Sequence, residues 1–162
     1  CIVANLPYNI STVLLLAWLR RAESFERLIL MFQKEVVDRL AAVPRSAHYG
    51  RLSVITQWRC EVRPLFNVDR RAFTPPPAVT STVVDLRPRT EPLAPARFEA
   101  LERVTAAAFG QRRKMLRSSL KSLGHAEELL ERTGIAPTAR AEEIPVEGFC
   151  ALARALDQIN SD

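Results

Sequence analysis

The first 49 residues contain no glycine, and the whole chain has only five. No glycine-rich loop of the kind that cradles nucleotides therefore follows the first apolar stretch. Cysteine is also scarce, with Cys1, Cys60 and Cys150 odd in number and widely spaced. That spacing suits neither a disulfide framework nor a zinc site, and fits free thiols in a reducing cytoplasm. The two histidines, His48 and His125, lack a cysteine or acidic partner at ligand spacing, so no metal is expected. No apolar run approaches the roughly eighteen residues that a membrane-spanning helix needs. A basic, apolar and cleavage-site pattern is missing from the start, which gives no sign of secretion.

What remains is an ordinary globular composition, 48% hydrophobic and 25% charged over 162 residues. The net charge of +5 is unevenly spread. Residues 112–121 hold five basic groups and no acid, whereas residues 122–162 hold 3 basic and 8 acidic groups. A basic stripe beside an acidic tail fits a polyanion met by one face. A solvated helix face is the competing reading.

The periodicity predicts a strand over Ile2 to Ala4, then a helix capped by Ser11 or Thr12 and apolar nearly all round. Leu28 to Phe32 is a short continuous apolar run, the pattern of a central parallel strand covered on both faces. Helical spacing follows over Val36 to Ala41 and Arg51 to Trp58. Strands are expected over 60–68 and 79–87, joined by a loop holding Phe73-Thr74-Pro75-Pro76-Pro77. Pro88, Pro92 and Pro95 mark a linker, after which helices are expected over 96–109, 112–122, 126–133 and 145–159. The fold class is thus α/β plus all-α. An α/β half-sheet finished by an antiparallel hairpin occupies 1–90, and a small helical domain occupies 91–162. Position 1 is not Met and abuts an apolar strand, so the chain reads as a fragment whose N-terminal half of the α/β domain is missing.

Asn5-Leu6-Pro7-Tyr8 closes the first strand, at the carboxyl end where α/β sheets collect ligands. Pro7 confines Leu6 to extended geometry and so fixes the direction of the Leu6 carbonyl. The Asn5 side-chain oxygen and that carbonyl make two acceptors aimed at one point, matching the two hydrogens of an exocyclic NH₂. Tyr8 offers a flat face for a base. The lone pair of an adenine amine is delocalised into the ring. Two acceptors hold the nitrogen more tetrahedral and stabilise the positive charge that develops as a methyl arrives. A proline-kinked strand exit with a packed tyrosine is the plainer alternative.

The string Asn-Leu-Pro-Tyr-Asn-Ile-Ser-Thr resembles motif IV of the KsgA family of rRNA adenine N6,N6-dimethyltransferases. Gln33-Lys34-Glu35-Val36 with Asp38-Arg39-Leu40 looks like the family's next segment, as does Tyr49-Gly50-Arg51-Leu52-Ser53-Val54. Phe73 to Ser81 is similar to its Phe-x-Pro-x-Pro-x-Val-x-Ser motif, and Phe109-Gly110-Gln111-Arg112-Arg113-Lys114 to its helical-domain marker. These motifs cover nearly the whole chain in order. The resemblance implies a Rossmann-like methyltransferase sheet over 1–90 and an rRNA-recognition domain over 91–162. Asn5 and the Leu6 carbonyl would bind the target amine, and Asn5 would also border S-adenosylmethionine. Tyr8 and Phe73 would stack on a flipped adenine. Read from the residues alone, Phe73 is as easily a hydrophobic plug. Ala78 stands where many relatives have Lys, which weakens one expected backbone contact to RNA.

Arg113, Arg117 and Lys121 recur at i, i+4 and i+8, with Arg112 and Lys114 beside them and Leu116, Leu120 and Leu123 on an adjoining face. Such a stripe holds phosphates without reading sequence. An intradomain salt-bridge face with Glu127, Glu128 and Glu131 is the alternative. Trp18 and Trp58 read as core. The implied partners are small-subunit rRNA and the assembling small ribosomal subunit, with no membrane. The implied cofactor, S-adenosylmethionine, is expected to bind residues 1–162 weakly or not at all. An open sheet edge invites self-association. Two other readings stand: an Erm-type enzyme of large-subunit rRNA, whose members commonly carry Ile at the position of Leu6, and a non-catalytic RNA-binding assembly factor.

Overall fold

The computed structural model describes residues 1–162. Four strands form one mixed sheet in the order β1-β2-β4-β3. Strand β1 (Ile2–Asn5) runs parallel to β2 (Leu28–Gln33), with Asn5 opposite Met31. Strand β4 (Ser81–Pro88) lies antiparallel between β2 and β3 (Cys60–Val68). Leu65 bulges out of the β3–β4 ladder, where the register shifts between Pro64 and Phe66. β4 begins at Ser81, two residues later than the pattern predicts.

Helices α1 (Ser11–Leu19), α2 (Lys34–Leu40) and α3 (Arg51–Arg59) connect these strands. Leu15, Leu19, Val37 and Ile55 from them meet Leu28, Leu30, Phe32, Val84 and Leu86 in a buried sheet core. Because this core lies on one face, β2 alternates between buried and half-buried residues. The expected double coverage of Leu28 to Phe32 is not observed, and β2 is parallel to β1 only, since its other neighbour β4 runs antiparallel. α1 is likewise not buried all round, since Val13 is 68% exposed. Its cap differs from expectation too. Ile10 occupies the N-cap position, and the Ser11 hydroxyl turns back to donate to the Tyr8 carbonyl at 3.2 Å.

The remaining helices are α4 (Phe98–Gly110), α5 (Leu116–Ser119), α6 (Ala126–Thr133) and α7 (Val146–Ser161). Leu101, Val104 and Ala108 pack against Phe149, Leu152 and Leu156 in a second core. α3 faces both ways: Ile55 belongs to the sheet core, while Val54 and Trp58 enter the helical one. Tyr49 is wholly buried there and donates from its hydroxyl to the Ile144 carbonyl at 2.7 Å. Burial pushes its phenol well above the usual range. The proline-marked linker is fastened down, because Trp58 Nε1 donates to the Ala94 carbonyl and Leu93 N to the Trp58 carbonyl. Trp58 is core as expected, whereas Trp18 is only partly buried. Gly124 (φ 89°) and Gly134 (φ 67°) end their helical segments in the left-handed region, which glycine enters without a Cβ clash.

The expected helix over 112–122 is corrected. Residues 111–113 form a turn, Met115 is extended and bridges Arg140, and only Leu116–Ser119 is α-helical before a 3₁₀ turn over Leu120–Leu123. Leu116 N and Arg117 N donate to the carbonyls of Ala139 and Pro137. Those long-range bonds replace the intrahelical ones that a continuous helix would make.

Candidate nucleic-acid site

Residues 5–8 leave the sheet at the carboxyl end of β1. Leu6 turns inward, 7% exposed, and anchors the exit in the sheet core. The Pro7 carbonyl accepts from Ile10 N at 3.2 Å, closing a turn that carries Tyr8. Tyr8 is held from the far side, because its hydroxyl and the buried Ser81 Oγ lie 2.7 Å apart in a hydrogen bond. Ser81 is the last residue of the Phe73-to-Ser81 motif and the first of β4, so this bond joins two motifs 73 residues apart. No local feature of the sequence marks this positioning role. The motif singles out Ser81, but nothing along the chain says which hydroxyl it meets.

Phe73 arrives on the β3–β4 loop. Asp69 accepts from Arg71 N at 2.8 Å and caps the 3₁₀ turn Arg70–Ala72, and Phe73 N donates to the Arg70 carbonyl at 3.2 Å. At the loop's other end, Lys34 N donates to the Thr80 carbonyl at 2.9 Å. Asn5, Leu6, Pro7 and Tyr8 thereby line one cavity with Phe73, Thr74 and Pro75, of about 380 Å³. That volume is in the range of small-molecule clefts. Neither the Asn5 side-chain amide nor the Leu6 carbonyl has a hydrogen-bond partner within the chain. The cavity is thus lined by two residues whose acceptors are unspent within the chain and by two aromatic residues, Tyr8 being 36% exposed and Phe73 partly buried.

The basic residues divide. Arg112 is engaged, its Nε 3.4 Å from Glu142 Oε2 and its Nη2 donating to the Ser46 carbonyl at 3.2 Å. It lines a second cavity, of about 540 Å³, between the two cores, where Arg39, His48 and Arg51 also lie. Arg113, Lys114, Arg117 and Lys121 are exposed and form no ion pair, whereas Glu128 is taken by Arg132. With the helix broken at Met115, these cations do not follow one continuous helical stripe.

Burial raises the thiols of Cys60 and Cys150 to about 12, leaving both as inert core groups. No group of three or more histidine, cysteine, aspartate or glutamate side chains is placed to hold a metal, and no helix is long and apolar enough to cross a membrane.

A mixed sheet ending in an antiparallel hairpin, with this strand exit beside the β3–β4 loop, defines a methyltransferase fold. The chain belongs to the ribosomal RNA adenine dimethylase family, which matches it over residues 1–158. It is 92% identical over 156 residues to ribosomal RNA small subunit methyltransferase A of Paramagnetospirillum magneticum, covering 96% of this chain and 56% of that protein. The protein of the same name from Rhodospirillum rubrum is 71% identical over 160 residues, covering 99% of this chain and 56% of its own length. The chain therefore spans little more than half the length of these relatives. Among solved structures, a dimethyladenosine transferase from Plasmodium falciparum shares the fold at TM-score 0.82 and 24% identity, over 98% of this chain and 68% of that one. The 23S rRNA methyltransferase ErmE overlaps at TM-score 0.62 and 28% identity, over 96% of this chain and 64% of its own.

Proposed function

We propose that this chain is the substrate-facing part of an enzyme that transfers methyl groups to N6 of two adjacent adenosines in small-subunit rRNA. It would act on the assembling small subunit in the cytoplasm. The supporting observation is the cavity where the unpaired Asn5 amide and Leu6 carbonyl stand beside Tyr8 and Phe73. In this reading the flipped adenine stacks on Tyr8 and Phe73, and its N6 hydrogens are accepted by Asn5 Oδ1 and the Leu6 carbonyl. These acceptors are fixed before the reaction, so they stabilise positive charge on N6 without reorganising. S-adenosylmethionine, when bound, supplies the electrophilic methyl group. The Asn5 amide fits a place at its border, since it is exposed and unspent at a strand's carboxyl end. Residues 1–162 hold no glycine-rich loop after β1, so we infer that this stretch alone binds the cofactor weakly. Tight binding by calorimetry would overturn that inference. Arg113, Lys114, Arg117 and Lys121 are assigned to rRNA phosphates, and Arg112 to holding the neighbouring turn. The helical part as a whole, residues 91–162, is assigned to rRNA recognition. The open β1 edge, where Val3 is 74% exposed, is the surface through which residues 1–162 would self-associate.

The test takes the protein at the full length of its relatives, labelled S-adenosylmethionine and undermethylated small subunits, with nucleosides read by mass spectrometry. Dimethyladenosine in small-subunit rRNA, abolished by Asn5→Ala, is expected. Transfer to large-subunit rRNA instead would favour the Erm-type reading. Binding to the particle without transfer would make the protein an assembly factor.

A further inference from the structure

We propose that Arg70 and Arg71 bind the phosphodiester backbone of the RNA strand flanking the adenine, so that the β3–β4 loop grips the strand while Phe73 takes the base. The inference rests on the function proposed above. Across residues 62–84 Asp69 is the one acidic side chain, against Arg63, Arg70 and Arg71. Arg70 is exposed and has no carboxylate partner. Asp69 holds Arg71 by its backbone N at 2.8 Å and by Nε and Nη2 at 3.1 Å, so this guanidinium is oriented while remaining 85% exposed. The Arg71 hydrogen bonds in turn keep the Asp69 carboxyl below the usual carboxylate range.

The loop is mounted, not free. The Phe73 N to Arg70 carbonyl bond fixes the arginines within one turn of the ring that lines the cavity. At the base, Val68 pairs with Ser81, which also carries the Tyr8 hydroxyl. Two cations on a rigid turn beside two rings and two acceptors match a nucleotide, with its phosphate outside and its base inside. A flat guanidinium suits phosphate better than a lysine point charge does.

The full-length protein carrying Arg70→Ala, Arg71→Ala or both is assayed for kcat and KM on undermethylated small subunits over a range of salt. Arg21→Ala, an exposed cation on the turn after α1, serves as control. The double variant should keep kcat, raise KM about tenfold or more at physiological salt, and flatten the log KM against log salt slope by about 1.4, near 0.7 per single-strand phosphate contact. Lysine at both positions should restore most of the slope. A photoreactive residue at position 70 should crosslink to rRNA. Unchanged KM and slope with transfer intact would overturn this inference and leave the proposed function standing. An equal effect of Arg21→Ala, or a crosslink to ribosomal protein, would also overturn it. Absence of transfer by the unsubstituted protein would defeat the proposed function first, and this inference with it.

Discussion

The Tyr8–Ser81 bond makes a sharp quantitative test, because its two ends can be removed separately. Tyr8→Phe keeps the stacking ring and deletes only the hydroxyl, leaving Ser81 Oγ, which is fully buried, without its partner. A neutral hydrogen bond contributes about 1 kcal/mol net, and a stranded buried hydroxyl costs about 1–3 kcal/mol. If the bond's work is to hold the ring against the adenine, losing about 1 kcal/mol at the transition state lowers kcat/KM roughly five- to tenfold. Ser81→Ala should do the same from the other side. The double variant should be no worse than either single one, giving a coupling of about 1 kcal/mol. Tyr8→Ala should be more severe, since base–aromatic stacking contributes about 1–3 kcal/mol. The assay is single-turnover methyl transfer to undermethylated small subunits by the full-length protein, with urea unfolding run on each variant. Additive losses from Tyr8→Phe and Ser81→Ala would refute the positioning argument, as would a fully active Tyr8→Phe beside an impaired Ser81→Ala.

On the proposed function, Asn5→Ala should lower kcat by about 100-fold or more, the usual cost of losing a preorganised transition-state contact, while particle binding persists in a pull-down. Asp85 is 1% exposed and receives bidentate hydrogen bonds from Arg27 at 2.9 Å, with Arg87 Nε at 3.1 Å. Those bonds, Arg27's first, hold its carboxyl below the ordinary range despite burial. The resulting stability is complete above the unfolded-state pKa of about 4 and fades as pH falls through the lower folded value. Asp85→Asn should remove about 2 kcal/mol at neutral pH and flatten the acid limb of a urea-midpoint titration; an unchanged limb would exclude this ion pair as its source. Leu101→Ala, at a wholly buried position of the helical core, should cost about 2–5 kcal/mol, read as a lower denaturant midpoint at constant m-value.

Much of this molecule is legible along the chain because local rules govern it. Residues 28–32 pair as a strand, Gly124 and Gly134 end helical segments, and residues 126–133 follow an apolar period to their last residue. The acceptors that Asn5-Leu6-Pro7-Tyr8 can offer are also legible locally, since Pro7 constrains Leu6 and an amide always carries its acceptor. Other features depend on partners far away in sequence. Residues 112–122 have helical spacing, yet Met115 extends because the 137–140 segment offers its backbone, and so the basic stripe is broken. α3 has buried residues on two faces because it lies between two cores, which its own periodicity cannot state. Tyr8 and Phe73 belong to separate motifs, and only the insertion of β4 beside β2 carries their loop to the β1 exit. Residue types and near-neighbour spacing set which groups are available. Hydrogen-bond and packing demands between distant segments decide which of those groups meet, because buried backbone and hydroxyl groups must find partners wherever the chain supplies them.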